Sequence, residues 1–85
     1  MEAKPYYVYL LVCADGTFYT GITTDTHRRV GEHNESLKGA KYTKARRPVS
    51  LVYEEVCDSR ATAQKREYTL RKLSHLEKLN LIAGL

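Results

Sequence analysis

The pattern of apolar and polar residues predicts a β-hairpin at the start of the chain. Residues 6–12 form a run of aromatic and branched side chains that is apolar on both faces, as in a central strand. Asp15 and Gly16 follow, a pair that favours the positive φ of a tight turn. The apolar pattern resumes over residues 18–22, which are predicted to return beside the first strand.

A helix is predicted after the hairpin. Thr23 and Thr24 can cap this helix, and Asp25 is expected in its first turn, where a negative charge is favourable. The helix is predicted to end at about Asn34.

The middle of the chain is predicted to be a loop followed by a third strand. Residues 35–47 have no clear period and are interpreted as a loop with at most one helical turn. Residues 49–57 are predicted to form a strand, with an apolar face made by Val49, Leu51 and Tyr53.

Two helices are predicted to complete the chain. Residues 58–59 are good N-cap residues, and residues 60–73 are mostly strong helix formers. Ser74 and Glu77 have the spacing of a capping box, which begins a last short helix. The expected apolar stripe of this helix consists of Leu76, Leu79 and Ile82, and the helix is expected to stop at Gly84.

These elements predict one α+β domain over residues 1–85. The expected architecture is a small three-stranded antiparallel sheet flanked by helices, in the order β-β-α-β-α-α. The chain has 85 residues, which is too short for two domains of usual size.

Composition and charge favour a polyanionic partner and a reducing compartment. Fourteen Lys and Arg against ten Asp and Glu give a net charge of +4. The two cysteines are far apart, and without a signal peptide they indicate a reduced, cytoplasmic protein. No apolar stretch approaches the roughly 20 residues that span a bilayer, so no membrane partner is expected.

Glu67 is the first candidate for chemistry. At helical spacing it falls in the same stripe as Ala63 and Leu70, which should face the sheet. A half-buried carboxylate is costly unless it is paired or binds a metal, and Mg²⁺ is often held by a single carboxylate with waters. Arg71, one turn later, offers the alternative of a structural ion pair.

Arg29 and His33 are the second candidates. They are four residues apart, so on a helix both point to the same side and suit a phosphate. The alternative is an ordinary surface pair.

The tyrosines are the third candidates, since seven of the 85 residues are Tyr. Tyr7 and Tyr9 share one face of the first strand, and Tyr19 and Gly21 share one face of the second. They can serve as core, or a tyrosine hydroxyl can orient a water while Gly21 lets a phosphate approach.

A basic segment is the fourth candidate. Cations interleaved with an aromatic residue suit contact with a nucleic-acid backbone and its bases, although a solvated charged loop is the simpler interpretation. Its residues are Lys38, Lys41, Tyr42, Lys44, Arg46 and Arg47.

Taken together, these residues resemble the GIY-YIG nuclease superfamily. The resemblance is carried by Tyr7-Val8-Tyr9, Tyr19-Thr20-Gly21, Arg29 with His33, and Glu67, in the order and on the elements typical of the family. The segments 39–49 and 72–79 are similar to the small stand-alone bacterial branch. Tyr7 stands where the family motif has glycine, as in that branch.

The resemblance implies roles for these residues. Glu67 would be the ligand of one divalent ion, Mg²⁺ or Mn²⁺. Tyr9 and Tyr19 would be the catalytic tyrosines, with Gly21 keeping the site open. Arg29 would stabilise charge on the cleaved phosphate, and His33 would be the polar residue one turn later. Lys41 or Tyr42 would assist the leaving group, and both remain open.

The implied function is an endonuclease that hydrolyses phosphodiesters in DNA. Branched or damaged DNA is the expected substrate, because no second DNA-binding domain follows to supply sequence specificity, and a monomer is expected. The alternatives are a nucleic-acid-binding module that is active only weakly or with a partner protein, and an interaction domain. DNA versus RNA stays open, as does whether Arg28 shares the work of Arg29.

Overall fold

The structure, a computed structural model, describes residues 4–85 as one antiparallel sheet with helices on both faces. The α+β class and the three-stranded sheet agree with the sequence prediction, and the predicted loop contains one helical turn. The elements are β1 (Tyr6–Val12), β2 (Phe18–Thr23), α1 (Thr26–Glu35), α2 (Lys41–Lys44), β3 (Ser50–Cys57), α3 (Arg60–Arg71) and α4 (His75–Ala83).

β1 is the central strand, as its apolar run predicts. The sheet order is β2-β1-β3, and both pairings are antiparallel. Val8 and Leu10 are fully buried on one face, while Tyr9 and Leu11 are buried on the other. Each such side chain contributes roughly 1.5–3 kcal/mol by burial, so β1 joins the two halves of the core.

The core has a separate cluster on each face of the sheet. On one face Ala63 and Leu70 of α3 pack against Val8. On the other, Val30 of α1 packs against the cluster that contains Tyr9. The two cysteines belong to different clusters, Cys57 to the first and Cys13 to the second, and both are free thiols within residues 4–85.

The predicted hairpin is confirmed. Gly16 has φ of 82°, the left-handed conformation that glycine adopts without steric cost. Asp15 accepts hydrogen bonds from the backbone N–H and the hydroxyl of Thr17, which closes the turn.

The predicted ends of two helices need correction. Asp25 is itself the N-cap of α1, because its carboxylate accepts from the N–H of Arg28, and α1 ends at Glu35. The hydroxyl of Thr23 instead accepts from the N–H of Asp25. α3 ends at Arg71, two residues before the predicted end.

The prediction of one apolar face on β3 is wrong. Leu10 pairs with Tyr53 and Leu11 with Leu51, so Val52 is left in a bulge. A bulge changes which face the following residues occupy. Val49 therefore packs against the Tyr9 cluster, whereas Tyr53 packs against the Val8 cluster.

The predicted stripe of α4 is also wrong. Leu76 and Leu79 are 66% and 44% exposed, and it is Leu81 that packs against the core. The capping box of Ser74 and Glu77 is confirmed, as is the stop at Gly84, which has φ of 79°. Within residues 4–85, no helix is long and apolar enough to cross a membrane.

Candidate active site

A buried chain of hydrogen bonds connects the central strand to α1 and α2. The hydroxyl of Tyr9 lies 2.8 Å from Nε2 of His33, and Nδ1 of His33 lies 2.8 Å from Oγ1 of Thr43. The Thr43 hydroxyl donates to the carbonyl of Ala40 at 2.9 Å. His33 and Thr43 are fully buried and Tyr9 nearly so, which fixes all three side chains.

These contacts determine the direction of the hydrogen bonds. Because Thr43 uses its single proton for Ala40, the short contact to His33 requires Nδ1–H to donate to Thr43. Nε2 is then the acceptor for the Tyr9 hydroxyl. The N–H of Ala40 lies 3.4 Å from Nδ1, and because Nδ1 carries hydrogen in this arrangement, that contact is not a hydrogen bond.

His33 is held in the neutral form. Burial, aided by the nearby Arg29, lowers the pKa of His33 to about 4. Burial raises the pKa of Tyr9 to about 12, and the neighbouring Tyr19 hydroxyl adds to this while Arg29 opposes it. The proton therefore stays on Tyr9, and His33 orients the hydroxyl rather than removing its proton.

Arg29, rather than Arg28, faces this centre. The Arg29 side chain is 25% exposed and its Nη1 donates to Glu32 and to the carbonyl of Lys38, both at 2.8 Å. The Arg28 side chain is 58% exposed and lies 3.8 Å from Glu32. α1 is thus rotated about its axis so that Arg29, and not Arg28, lies close enough to Tyr9 to affect the pKa of the tyrosine.

Glu67 approaches the same centre from α3. Its charge raises the pKa of Tyr9, and its side chain is 22% exposed. Oε1 of Glu67 lies 3.0 Å from Nη2 of Arg71, which is the structural pair that the sequence left open. An ion pair with so exposed an arginine contributes at most about 1 kcal/mol, so it can be exchanged for another cation.

The donor set fits an ion that prefers oxygen ligands, such as Mg²⁺ or Mn²⁺, rather than a metal held by His and Cys. In the part of the chain that the structure describes, no three His, Cys, Asp or Glu side chains cluster as metal ligands. A single carboxylate beside tyrosine hydroxyls leaves most positions to water, which is how Mg²⁺ is commonly held.

Tyr19 and Gly21 complete the centre from β2. The ring of Tyr19 meets the ring of His33 edge-on, with 5.1 Å between the centroids. A Cβ on Gly21 would overlap the Tyr9 hydroxyl and lie 2.5 Å from its Cζ. Gly21 therefore makes room for the Tyr9 side chain, a different reason from the phosphate access expected of it. Tyr7, two residues from Tyr9, is half-buried and pairs with Thr23.

Arg47 has an internal position. It donates to the carbonyls of His33 at 2.5 Å, Ser36 at 2.7 Å and Glu32 at 3.3 Å. These carbonyls end α1, so the guanidinium caps the helix that carries His33.

Arg46 and Tyr42 are fixed against the hairpin turn. Arg46 pairs with Asp15 at 3.0 Å and lies over the Tyr42 ring, 3.7 Å from its centroid. The Tyr42 hydroxyl donates to Thr17 at 2.8 Å. Among the other basic candidates, Lys38, Lys41 and Lys44 are exposed.

Sequence reasoning missed Thr43 and Glu32. Thr43 carries no signal of its own, since it lies among cations in a segment without a period. Glu32 could have been found, because it is three residues after Arg29 and four after Arg28, the spacing of helical ion pairs.

Comparisons with known proteins agree with this fold and this set of residues. The chain belongs to the family described as the GIY-YIG catalytic domain, whose model matches residues 5–80. This family is of the nuclease type.

Within the family the chain is similar to small proteins named UPF0213. It is 56% identical to the UPF0213 protein DP2720 of Desulfotalea psychrophila, over 95% of this chain and 74% of that protein. It is 51% identical to the UPF0213 protein VNG_2274C of Halobacterium salinarum, over 86% and 94%. The stand-alone branch therefore extends beyond the bacteria in which the sequence placed it, to archaea.

Two solved structures share the fold. The solution structure of the UPF0213 protein BH0048 of Bacillus halodurans has a TM-score of 0.58 at 44% identity, covering 93% of this chain and 83% of that one. The protein EF2693 of E. faecalis has a TM-score of 0.64 at 40% identity, covering 98% and 88%.

Proposed function

We propose that this protein is a metal-dependent endonuclease that hydrolyses phosphodiesters in DNA. The observation that carries the proposal is the buried hydroxyl of Tyr9, which is oriented by His33 and lies close enough to Tyr19, Arg29 and Glu67 for all three to affect its pKa. A buried tyrosine hydroxyl needs a hydrogen-bond partner in any case, so it is the charged groups beside it, Arg29 and Glu67, that favour chemistry over packing.

Arg29 is proposed to bind the phosphate that is cleaved. Attack on a phosphodiester adds negative charge to an anion, and a preorganised guanidinium stabilises that charge. Glu32 and the Lys38 carbonyl hold Nη1 of Arg29, and the guanidinium also borders the Tyr9 hydroxyl, which would place its remaining N–H groups beside a phosphate bound there.

Tyr9 is proposed to orient the attacking water. Because its proton points to His33, its remaining lone pair can accept a hydrogen bond from a water beside the phosphate. The Tyr19 hydroxyl, close by, is proposed to donate to a phosphate oxygen. The water forms the new P–O bond, the bond to the leaving oxygen breaks, and one proton of the water passes to that oxygen.

Glu67 is proposed to hold a divalent ion, Mg²⁺ or Mn²⁺. When bound, such an ion lowers the pKa of water and neutralises charge on the phosphate. The exposed pair with Arg71 can be exchanged at little cost, which supports this role.

A second candidate is a nucleic-acid-binding module that cuts weakly or only with a partner protein. The ion pair of Glu67 with Arg71 favours it, because in the free protein this carboxylate already has a cation. The low energy of an exposed pair makes this the weaker of the two.

The proposal is tested by cleavage of labelled single-stranded, duplex, flap and branched DNA, with Mg²⁺ or with chelator. We expect metal-dependent cuts, and we expect Arg29→Gln to slow cleavage by about a hundredfold, as for loss of one transition-state donor. Arg28→Gln is the matched control and should weaken binding more than cleavage at saturation. Equal cleavage by both variants, or no cleavage of any substrate, would contradict the proposal.

A further inference from the structure

Two grooves flank the Tyr9 centre along β2, which is an edge strand of the sheet. Gly21, against the Tyr9 ring, lies between them. Residues 18–20 line one groove and residues 22–24 line the other. A chain that passes over Gly21 would therefore occupy both.

The groove beyond Gly21 is polar and rich in arginine. It has a volume of about 380 Å³, and Arg28, Arg29 and Arg60 line it together with Glu32. Such a lining suits the sugar–phosphate backbone, because guanidinium groups bind phosphate oxygens without regard to the base.

The groove before Gly21 has a different chemistry. It has a volume of about 260 Å³ and is lined by Phe18, Tyr19, Thr20, Tyr42, Arg71 and Lys78. Three aromatic rings and two cations form its wall, a combination that suits a planar ring attached to an anion. The volume is below that of pockets for drug-sized ligands, so there is room for one ring system rather than a stack.

The aromatic wall is held in place before any ligand arrives. Tyr42 is fixed by its hydrogen bond to Thr17 and by Arg46 over its ring, and Arg46 is fixed by Asp15. The ring of Tyr42 stacks on that of Tyr19 at 6.1 Å between centroids. Tyr42 lies at the surface, where burial does little to hold it, so these contacts are what fix its side chain. Because the side chain is already ordered, less conformational entropy is lost when a ligand binds.

We propose that the groove lined by Phe18, Tyr19 and Tyr42 binds one unpaired nucleobase of the DNA strand that is cleaved, with Lys78 and Arg71 on its phosphates. The bases of a duplex are stacked and cannot enter, so the groove selects a strand that is single on this side of the cleaved bond. The arginine groove takes only the backbone on the other side. This inference rests on the proposed function and adds the class of substrate.

The test measures binding in chelator, where no cleavage occurs. The probe is a short oligodeoxynucleotide that is abasic at every position except one, which carries a fluorescent adenine analogue; a fully abasic strand of equal length is its reference. We expect the wild type to bind the probe with the base about tenfold more tightly, the order of one base–aromatic stack, and to quench its fluorescence.

Phe18→Leu and Tyr42→Leu should each lose this advantage while keeping their affinity for the abasic strand. Circular dichroism checks that both fold. Tyr68→Leu is the matched control, since Tyr68 is an exposed tyrosine with Lys72 4.2 Å from its ring, outside the groove. It should keep the full advantage. Arg60→Gln should weaken both strands equally.

Equal binding of both strands by the wild type would overturn the inference, even if the protein cleaves DNA. Tighter binding of the strand with the base that persists in either groove variant would also overturn the inference. A base-dependent advantage in a protein that never cleaves would support the groove while contradicting the proposed endonuclease, so the two failures can be told apart.

Discussion

Single residues determine how the Tyr9 hydroxyl is aimed. His33 does so by accepting a hydrogen bond from the Tyr9 hydroxyl, and Thr43 does so by fixing which nitrogen of His33 carries hydrogen. Every buried side-chain nitrogen or oxygen within residues 4–85 has a partner, so the network is closed. Removing a member of this network should therefore lower the free energy of unfolding as well as impair catalysis.

Acid should unfold the protein partly through His33. Its pKa is about 4 in the folded state, below the ordinary value of 6.5, because burial and the charges of Arg29 and Arg47 oppose ionisation. The unfolded chain then binds more protons between these values, so stability is full above pH 6.5 and falls toward pH 4.

Urea unfolding at a series of pH values across this range measures the effect. The free energy of unfolding should fall by about 1–3 kcal/mol in the wild type. His33→Gln should show a smaller slope over the same range, whereas His27→Gln, at an exposed position, should keep the slope of the wild type. Equal slopes in all three proteins would show that His33 is not held neutral.

Removing the Thr43 hydroxyl should harm both stability and cleavage. Thr43→Val leaves the Ala40 carbonyl and Nδ1 of His33 without their partner, which costs about 1–3 kcal/mol. Thr69→Val is the matched control, because Thr69 donates to the carbonyl of Lys65 on an exposed helix face. Urea unfolding of both variants checks this, and an equal loss would contradict the special position of Thr43.

The sequence was enough to predict those site residues whose chemistry is unusual for their position in the pattern. Glu67 stands out in an apolar stripe, and Arg29 with His33 stands out by spacing. Thr43 has no such conflict, because a threonine among lysines is ordinary. Its burial against His33 arises only when α2 folds back on α1, which no local pattern encodes.

At the scale of elements, the segment between α1 and β3 supports the helix that carries the site. Gly39 lies so close to α1 that a Cβ there would be 2.8 Å from the carbonyl of Glu32. The amide of Asn34 both donates to and accepts from the backbone of Val49, at 2.9 Å and 2.7 Å. The basic segment therefore has two roles: some of its residues support α1, and others are exposed cations.

Arg47 and Lys44 should separate these two roles. Arg47→Lys loses the fork that caps α1 and should lower the free energy of unfolding by about 1–3 kcal/mol. Lys44→Gln, at an exposed position, should leave stability within about 0.5 kcal/mol and reduce the salt dependence of DNA binding by about one unit of slope. Urea unfolding and a salt titration of binding measure the two effects. Similar stability losses in both variants would contradict the division.

The sequence predicted which segments are strands and which are helices, but it did not predict the buried faces of β3 and α4. The apolar run of β1 and the capping box of α4 are local signals that the fold keeps. The bulge at Val52 depends on how β3 meets β1, and the choice of Leu81 over Leu76 depends on how α4 meets the sheet. Both are decided by packing between elements.

At the scale of the whole molecule, the charges lie beside the site. The net charge is +4, and cations border both grooves along β2: Arg28, Arg29 and Arg60 on one side and Arg71 and Lys78 on the other. A strand bound along β2 would be attracted at both ends and held over Tyr9. The edge of the sheet would then be the surface that positions the phosphodiester beside Tyr9.

The most decisive comparison is between Glu67→Gln and the wild type, with cleavage of one DNA measured in Mg²⁺ and binding of the same DNA measured in chelator. Glu54→Gln, an exposed glutamate on β3, is the control. We expect Glu67→Gln to lose cleavage by roughly a hundredfold or more, while its binding in chelator stays equal or tightens because a negative charge beside phosphate is removed. Unchanged cleavage in Glu67→Gln, with both variants folded, would contradict it.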